Sequence, residues 1–314
     1  MNNIIRFWNQ NRKSIVIGVT AFALLIIIIQ LLNQMAKQQN TKGNTIINEL
    51  QTDKNLPTES IIGGKSTSTE TTKENVALIE EFIEKCNNGD VSGAYLMLSD
   101  DCKEVLFEKE ENFKKGYYDI IFKEKRISNI ENFLSKDNRY TYKVEFHSDI
   151  LSSGNSEDTT SYQDYITIDE NLQNGKLNIN SLIYKKNINK ETEVNGIKVI
   201  VLTQQVFKDN EKYEIKIENN TDKRILIDTR EQSKSVYLVG NNNVTYNSYI
   251  SELSSVLYEI PANFYRTYTI RFNKIYSSGI ETNKIIFSDM VSDYEKYKQT
   301  PDEIKERVKI SVSI

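Results

Sequence analysis

The most constraining feature of this 314-residue chain is an apolar segment near its N-terminus. Ser14 to Leu32 (SIVIGVTAFALLIIIIQLL) contains 19 consecutive residues without a charge. As a helix rising about 1.5 Å per residue, the segment would be about 28 Å long, close to the ~30 Å hydrocarbon thickness of a bilayer. The sequence therefore predicts a transmembrane helix at 14–32 that contacts the membrane lipid bilayer.

The alternative interpretation of this segment is a cleaved signal peptide. The apolar core of a signal peptide is shorter, about 7–15 residues, and a small-x-small cleavage site follows it. Residues 33–37 (NQMAK) contain no such site, so we favour an uncleaved signal-anchor. Arg6, Arg12 and Lys13 precede the segment. By the positive-inside rule they predict a cytoplasmic tail at 1–13 and a single-pass cell-membrane protein whose bulk is extracytoplasmic.

Charge distinguishes the membrane-proximal residues from the rest of the chain. Residues 1–42 contain five Lys or Arg and no acid, whereas the remainder contains 35 basic and 44 acidic side chains, a formal charge of −9. A surface of that sign repels phosphate backbones. The cluster Lys123 to Arg126 (KEKR) is interrupted by Glu124, and we interpret it as a solvated face. The sequence therefore predicts no nucleic-acid partner and favours cell-envelope proteins as partners.

The segment after the apolar run, residues 33–73, has the composition of a flexible linker. It contains no aromatic residue and is dominated by Gln, Asn, Thr, Ser, Lys and Gly. Such a segment cannot bury enough apolar surface to fold alone. As a flexible tether it would place the folded part roughly 35 Å from the membrane.

Helical signals come first in the part of the chain that is expected to fold. Thr71 and Glu74 can form a capping box at the start of a helix. The apolar face that follows at helical spacing consists of Val76, Ile79, Phe82, Ile83 and Cys86. Asn87-Asn88-Gly89 is expected to end this helix, and shorter helices are predicted at Val91 to Leu98 and after Ser99.

Strand signals replace the helical period beyond Gly116. Apolar and polar residues alternate from Tyr140 to His147, and comparable runs at Tyr162 to Ile168 and Leu177 to Tyr184 flank the turn Asn174-Gly175. Seven more short strands are predicted in the second half of the chain, and turns rich in Asn and Asp separate them. They are Ile197–Phe207, Glu211–Glu218, Lys223–Asp228, Ser235–Val239, Val256–Ile260, Tyr265–Phe272 and Lys284–Phe287. Seven strands at this spacing favour a two-sheet β-sandwich.

Two resemblances follow from these patterns. Residues 74–190 resemble the nuclear-transport-factor-2-like α+β cone, on the element order and on Glu80 to Asp90 and Ala94-Tyr95-Leu96. Residues 191–292 resemble the telokin-like, immunoglobulin-like domains of bacterial surface proteins, on Tyr213 to Thr221, Ile260-Pro261 and Tyr268 to Phe272. The excess of Lys over Arg, with abundant Asn and Ile, is similar to coding from a low-GC bacterial genome of the Firmicute kind. The resemblances imply a cone, then an all-β immunoglobulin-like sandwich, after an N-terminal transmembrane helix.

The C-terminal residues 293–314 are predicted to be a tail. Its last segment, Lys309 to Ile314, alternates like a strand. Two roles are open for it, an additional edge strand of the sandwich or a segment that binds a partner.

Candidate ligand-binding residues come from the aromatic side chains of the cone. The tyrosines that could line a pocket are Tyr117, Tyr118, Tyr140, Tyr142, Tyr165 and Tyr184. Aromatic residues at strand spacing more often belong to the hydrophobic core, so a core role for these tyrosines is the alternative to a ligand-binding role. Enzymatic members of the cone fold use a carboxylate or a His–Asp pair as general base. His147 is the only histidine, and by alternation we expect it on the solvent face.

Several kinds of chemistry are disfavoured by residue counts and spacing. A single histidine and two cysteines, Cys86 and Cys102, give no pattern typical of a metal site or of a nucleophile–His pair. The cysteines can form one disulfide between helices or remain buried thiols. We therefore predict no cofactor and no metal.

The function predicted from the sequence is extracytoplasmic binding or scaffolding without catalysis. The main alternative is a structural subunit of a conjugation or type IV secretion channel, in which an anchor also precedes a cone. A third alternative is an isomerase-like or small-molecule-binding enzyme of the cone domain. An enzyme of that kind would show a buried carboxylate of raised pKa within the cone.

Overall fold

The computed structural model describes residues 60–61, 67–148, 160–171, 176–228, 235–250, 253, 255–300 and 307–314. All of them belong to one compact unit, Leu56–Ile314. The predicted tail at 1–13, the predicted transmembrane helix at 14–32, most of the predicted linker and the turn at 174–175 lie outside the described residues. Within the described residues, no helix is both long enough and apolar enough to cross a membrane.

Helices come first in the described chain. They are α1 (Thr69–Asn87), α2 (Val91–Leu96), α3 (Asp100–Leu106), α4 (Glu110–Phe113), a π-helix (Lys114–Tyr118) and α5 (Asp119–Ile121). α1 begins within the predicted linker because Ser68, and not Thr71, caps it. The Ser68 hydroxyl accepts a hydrogen bond from the Thr71 N–H at 3.1 Å. The predicted end of this helix is confirmed at Asn87, and Gly89 follows with a left-handed φ of 75°.

The helices pack on a four-stranded antiparallel sheet with the order β1-β2-β3-β4. Its strands are β1 (Arg126–Lys136), β2 (Arg139–Ser148), β3 (Tyr162–Asp169) and β4 (Leu177–Asn178). Alternation does not reveal β1, because Asn132 to Ser135 are buried consecutively. Both faces of the sheet are covered here, and a bulge interrupts the pairing with β2 between Asn132 and Leu134.

The run predicted as one strand at Leu177 to Tyr184 is two strands in different sheets. The chain turns between them at Asn180 and Ser181, whose φ angles are 55° and 63°. β5 (Leu182–Val194) then pairs with β6 (Ile197–Phe207) of the next sheet. The predicted domain boundary between 190 and 191 falls inside β5. We therefore use the turn to separate an N-terminal module (67–179) from a C-terminal module (182–314).

The C-terminal module consists of two antiparallel sheets around one apolar core. One sheet has the order β12-β7-β6-β5, and the other has the order β10-β9-β13-β8-β11 with β14 also paired to β13. The remaining bounds are β7 (Glu211–Asn219), β8 (Ile225–Leu226), β9 (Val236–Gly240), β10 (Thr245–Asn247), β11 (Glu259–Ile260), β12 (Phe264–Phe272), β13 (Thr282–Val291), α6 (Tyr294–Gln299) and β14 (Arg307–Ser313).

The seven strands predicted for this half all have counterparts in the structure. Val256 to Tyr258 differ, since they belong to a 3₁₀ helix, Ser255–Tyr258, that precedes the short β11. β8 is shorter and β13 is longer than predicted, and β10 was not predicted. The predicted tail contributes α6 and β14, and β14 pairs antiparallel with β13 as an additional edge strand. The described chain is thus mostly antiparallel sheet with a few helices, as the coarse part of the predicted fold class states.

The basic cluster Lys123 to Arg126 is solvated only in part. Lys123, Glu124 and Lys125 are exposed, whereas Arg126 is buried. The prediction is therefore wrong for Arg126, because this residue begins β1. Its Nε donates to the carbonyl of Ile121 at 2.6 Å, and its Nη1 donates to the Ser148 hydroxyl at 2.7 Å.

Both cysteines are free thiols buried in the core between the helices and the first sheet. Of the two possibilities that the sequence leaves open, the structure contains the buried thiols. Burial raises the pKa of the Cys102 thiol to about 12, and burial also raises the pKa of Cys86. Neither group forms the reactive thiolate near neutral pH.

We predict that iodoacetamide at pH 8 leaves both thiols of the folded protein unmodified, because each thiol is buried and protonated. Mass spectrometry of the intact chain measures this. In guanidinium chloride without a reductant, the same reaction is expected to add two carbamidomethyl groups per chain. A denatured chain that reacts only after reduction would contradict the assignment of free thiols.

Candidate functional site

The six tyrosines proposed as ligand-binding residues lie in two separate places. Tyr117, Tyr118, Tyr140 and Tyr142 contact the core between the helices and the first sheet. Tyr165 and Tyr184 belong to a second cluster that lies between the two modules. On β3, Ile166 and Ile168 face the helical core. Tyr165 therefore points to the opposite side of the sheet by alternation.

The four tyrosines at the helical core are engaged with other parts of the chain. The Tyr117 hydroxyl donates to Asp164 at 2.8 Å, and the Tyr142 hydroxyl accepts from the side-chain amide of Asn75 at 3.3 Å. The Tyr118 ring stacks on a neighbouring phenylalanine, and the Tyr140 hydroxyl donates to a glutamate at 3.3 Å. These contacts resemble ordinary core packing more than the surface of a ligand pocket.

An apolar cluster joins the two modules, and we call it the junction cluster. Its buried residues are Phe133, Leu134 and Tyr165 of the first sheet and Ile183, Val206 and Tyr276 of the C-terminal module. The Phe133 and Tyr165 rings meet edge to face, with centroids 4.7 Å apart. Because the cluster takes residues from both modules, burial of apolar surface opposes their separation.

Asp164 is a buried carboxylate on β3 that binds the turn between the modules. Its Oδ2 accepts from the Tyr117 hydroxyl and from the Asn180 N–H, each at 2.8 Å. Its Oδ1 accepts from the N–H groups of Tyr165 at 2.6 Å and Ser181 at 2.8 Å. Burial raises the pKa of this carboxyl group, although the four hydrogen bonds lower it. Asp164 thus has the raised pKa expected of a catalytic acid, but its partners are all parts of the fold.

His147 lies on the solvent face of β2, as alternation predicts. Its side chain is 52% exposed, and its Nε2 lies 3.9 Å from a Glu145 carboxylate oxygen. Tyr142, Val144 and Phe146 on the same strand are fully buried on the other face. The imidazole is therefore on the opposite face of the sheet from the helical core and cannot act as a base there.

A polar cleft of about 250 Å³ lies where the modules meet, and we call it the junction cleft. The tip of the β1–β2 hairpin lines it from one side, and β5, β6, β7 and the segment after β12 line it from the other. Its charged lining residues are Lys136, Asp137, Arg139, Lys186, Glu211, Lys274 and Glu281. Of the six proposed tyrosines, Tyr184 lines this cleft.

A buried ion pair lies in the cleft. Lys274 Nζ and Glu211 Oε1 are 2.6 Å apart, and their side chains are 4% and 2% exposed. The other carboxylate oxygen, Oε2, accepts from the hydroxyls of Tyr213 at 2.7 Å and Thr282 at 2.8 Å and from the amide of Gln204 at 3.2 Å. This many donors is what a buried carboxylate requires.

Arg139 is fixed in the cleft by two contacts with its neighbours. Its Nε donates to Asp169 at 2.7 Å, and its guanidinium carbon lies 4.2 Å from the centroid of the Tyr184 ring. Tyr276 lies close enough that the Arg139 charge lowers its pKa, but burial is the larger effect and raises the pKa to about 12. The guanidinium plane is thus held between a carboxylate and an aromatic ring.

Of the residues that line this cleft, only Tyr184 was predicted from the sequence, although the sequence contains a signal for two others. On β7, every second residue is buried, and Glu211 falls in the same alternating set as Tyr213, Ile215 and Ile217. The alternation of buried residues on β12 likewise continues past Phe272 to Lys274 and Tyr276. A charged residue at a position that alternation assigns to the interior is a candidate for a buried ion pair. Arg139 lies near these residues only because the β1–β2 hairpin packs against the C-terminal module, which the sequence pattern does not show.

The structure offers no metal centre within its described part, since no three His, Cys, Asp or Glu side chains come together there in a way that could hold an ion. Comparisons with known proteins add little. No family model matches this chain, and no curated protein matches it. A solved structure of a functionally unknown protein from Listeria monocytogenes EGD-e is similar over 42% of this chain and 85% of its own length. It is 10% identical, with a TM-score of 0.29, and carries no argument about fold or function.

We predict that Asp164→Asn destabilises the protein by about 2 kcal/mol at pH 7, because the amide nitrogen cannot accept the hydrogen bonds made to one carboxylate oxygen. Urea unfolding of the full-length protein in detergent measures the free energy of unfolding. Asp119→Asn is the control, since Asp119 is half-exposed and its loss should cost less than about 1 kcal/mol.

The pH dependence of this difference has a definite sign. Because the pKa of Asp164 is raised in the folded protein, its carboxyl group stabilises the fold fully below the ordinary Asp pKa of about 4. This stabilisation is lost as the pH rises through the pKa that Asp164 has in the folded protein. The wild type should therefore exceed Asp164→Asn in stability by more at pH 4 than at pH 7. Equal differences at both pH values would contradict the assignment.

The buried ion pair yields a separate prediction. Lys274→Met should destabilise the protein by about 3–5 kcal/mol, because Glu211 is left as an uncompensated buried charge, and adding Glu211→Gln should recover part of that loss. Lys216→Met is the matched control on β7, the strand of Glu211, since Lys216 also lies 2.6 Å from a carboxylate, that of Glu218, but its side chain is 29% exposed. We expect a cost below about 1 kcal/mol there. Equal costs at both lysines in urea unfolding would show that burial is not the reason.

Proposed function

We propose that the protein is a membrane-anchored, extracytoplasmic scaffolding or binding protein without catalytic activity. The uncharged run Ser14–Leu32 would be its single membrane anchor, and the basic residues before that run favour a cytoplasmic N-terminus. The folded modules would then lie outside the membrane, with cell-envelope proteins as partners. The negative formal charge of the chain beyond residue 42 makes nucleic acid a poor partner.

We further propose the finer fold assignment that the two resemblances imply. A nuclear-transport-factor-2-like cone would correspond to the N-terminal module, and the helices followed by a four-stranded antiparallel sheet support it. An immunoglobulin-like sandwich would correspond to the C-terminal module, and its two antiparallel sheets around one core support it. Both folds serve many unrelated functions, so neither name decides the function.

The observation that carries the scaffolding proposal is the junction between the modules. β5 follows β4 after a single short turn, and Asp164 accepts hydrogen bonds from two backbone N–H groups of that turn. The junction cluster adds buried apolar contacts between the modules. A scaffold has to present its surfaces at a fixed distance and angle, and this junction supplies a physical basis for both.

Catalysis is not favoured, because the groups suited to acid–base chemistry are occupied or lie apart. Asp164 is bound by four donors of the chain, and Glu211 is bound by Lys274 and three further donors. His147 lies on a solvent face away from the helical core. A general base needs access to a substrate proton. These arrangements therefore support a binding or spacing role.

Chemical cross-linking in the native membrane tests the proposal. We expect the wild type to recover cell-envelope proteins or further copies of itself, and protease added outside the cell to digest the folded modules. Phe133→Ala should reduce the yield, because it removes an aromatic ring from the junction cluster and loosens the modules. Phe264→Ala is the matched control, since Phe264 is 51% exposed.

Three results would count against this proposal. Recovery of conjugation or secretion-channel subunits would assign the protein to a channel instead. Complete resistance of the modules to external protease, in cells whose other surface proteins are digested, would place them on the cytoplasmic side. A yield unchanged in Phe133→Ala would show that the junction is not what partners depend on.

A further inference from the structure

Several hydrogen-bond donors in the junction cleft have no acceptor among the described residues. Of the five N–H donors of Arg139, only the one on Nε has a partner among the described residues. Lys274 Nζ is almost fully buried and donates a single hydrogen bond in the described structure, to Glu211. Among the described residues, the Lys186 ammonium has no hydrogen bond and no ion pair within 4 Å, although its charge acts on Glu281. The buried Ser277 hydroxyl is without a partner there.

Each carboxylate of the cleft has at least one partner. The two oxygens of Glu211 accept four hydrogen bonds between them. Glu281 and Asp137 both pair with Lys136, at 2.9 and 3.7 Å. Asp169, behind Arg139, accepts from that residue and from Asn171. Buried donors without acceptors are costly, so we expect water or a ligand to satisfy Lys274 and Ser277, whereas Arg139 and Lys186 are partly or fully exposed and can reach solvent or a ligand directly.

Arg139 is prepared for a planar, bidentate partner. Its guanidinium is oriented by Asp169 on the Nε side and by the Tyr184 ring on one face. The orientation leaves the terminal nitrogens as the unpaired donors. A fixed guanidinium loses little side-chain freedom on binding, and its two terminal nitrogens match two oxygens of a carboxylate or phosphate group.

We infer that the junction cleft binds an oxyanion, the carboxylate or phosphate group of a small polar ligand. Arg139 would contact two of its oxygens, and the ammonium groups of Lys274 and Lys186 would supply further donors. Lys186 and Tyr184 lie on the same face of β5, and Lys186 pairs in register with Gln204, another residue that lines the cleft. The cleft volume of about 250 Å³ suits a small molecule. This inference rests on the proposed binding role and names the chemistry of its ligand.

Isothermal titration calorimetry of the full-length protein in detergent tests the inference. Sodium phosphate and sodium acetate are the two probes, each titrated at constant ionic strength maintained with sodium chloride. Saturable binding of phosphate, of acetate or of both supports an oxyanion site, and the anion that binds more tightly identifies which group the cleft prefers. Heat that does not saturate with either anion would overturn the inference.

Three variants locate the site. Lys186→Gln should weaken binding about threefold to tenfold, and Arg139→Gln about tenfold or more, because each removes charge-assisted donors from the ligand. Lys186 is exposed and makes no close ion pair in the described structure, so its replacement leaves the fold intact even if Arg139→Gln does not fold. Lys190→Gln is the matched control. It removes the same charge from the same exposed strand but does not line the cleft.

The outcomes of these titrations are distinct from those of the cross-linking experiment. Equal affinity in the wild type, Lys186→Gln and Lys190→Gln would show that the anions bind elsewhere, and the inference would fail. If cross-linking recovers envelope proteins while no anion binds, the oxyanion inference is wrong and the scaffolding proposal stands. If anions bind in the cleft while cross-linking recovers channel subunits, the oxyanion site stands and the scaffolding proposal is wrong.

Discussion

The arrangement of the two modules depends on one buried carboxylate. Asp164 accepts hydrogen bonds from the backbone N–H groups of Asn180 and Ser181. Both residues have left-handed φ angles, and this backbone conformation costs a non-glycine residue roughly 1–3 kcal/mol. The hydrogen bonds offset that strain and fix the direction in which β5 leaves the first sheet. The Tyr117 hydroxyl binds the same carboxylate, so the helices are connected to the turn as well. The position of the C-terminal module follows from this turn.

The contact between the modules is apolar on one side and polar on the other. The junction cluster buries aromatic and aliphatic side chains and supplies cohesion. The junction cleft next to it contains a buried ion pair and an arginine whose orientation is fixed. A fully apolar contact would serve cohesion equally well, since buried ion pairs add little net stability. The polar half is the part of the contact for which we propose a binding role.

The tyrosines illustrate why residue type alone is a weak guide to a binding site. Tyr117 and Tyr142 have the ring and hydroxyl that a ligand pocket uses, yet both lie in the core with hydrogen-bond partners from the chain. The cleft instead uses Lys274 and Glu211, which the sequence analysis did not select. Glu211 on β7 and Lys274 after the end of β12 both continue the two-residue alternation of buried positions, so alternation extended to charged residues would have indicated both. Arg139 has no such signal, because its role depends on where its hairpin meets the other module.

The sequence by itself determined several elements: the helical face of α1, its end at Asn87, and β6, β7, β9 and β12 nearly to their boundaries, since these follow from local periodicity and turn residues. It also predicts the membrane anchor, which lies outside the described residues. Only the tertiary structure decided that Leu177 to Tyr184 divides between two sheets, that β1 exists without alternation and that the cleft forms. Each of these depends on contacts between residues distant in sequence, and local patterns carry no information about such contacts.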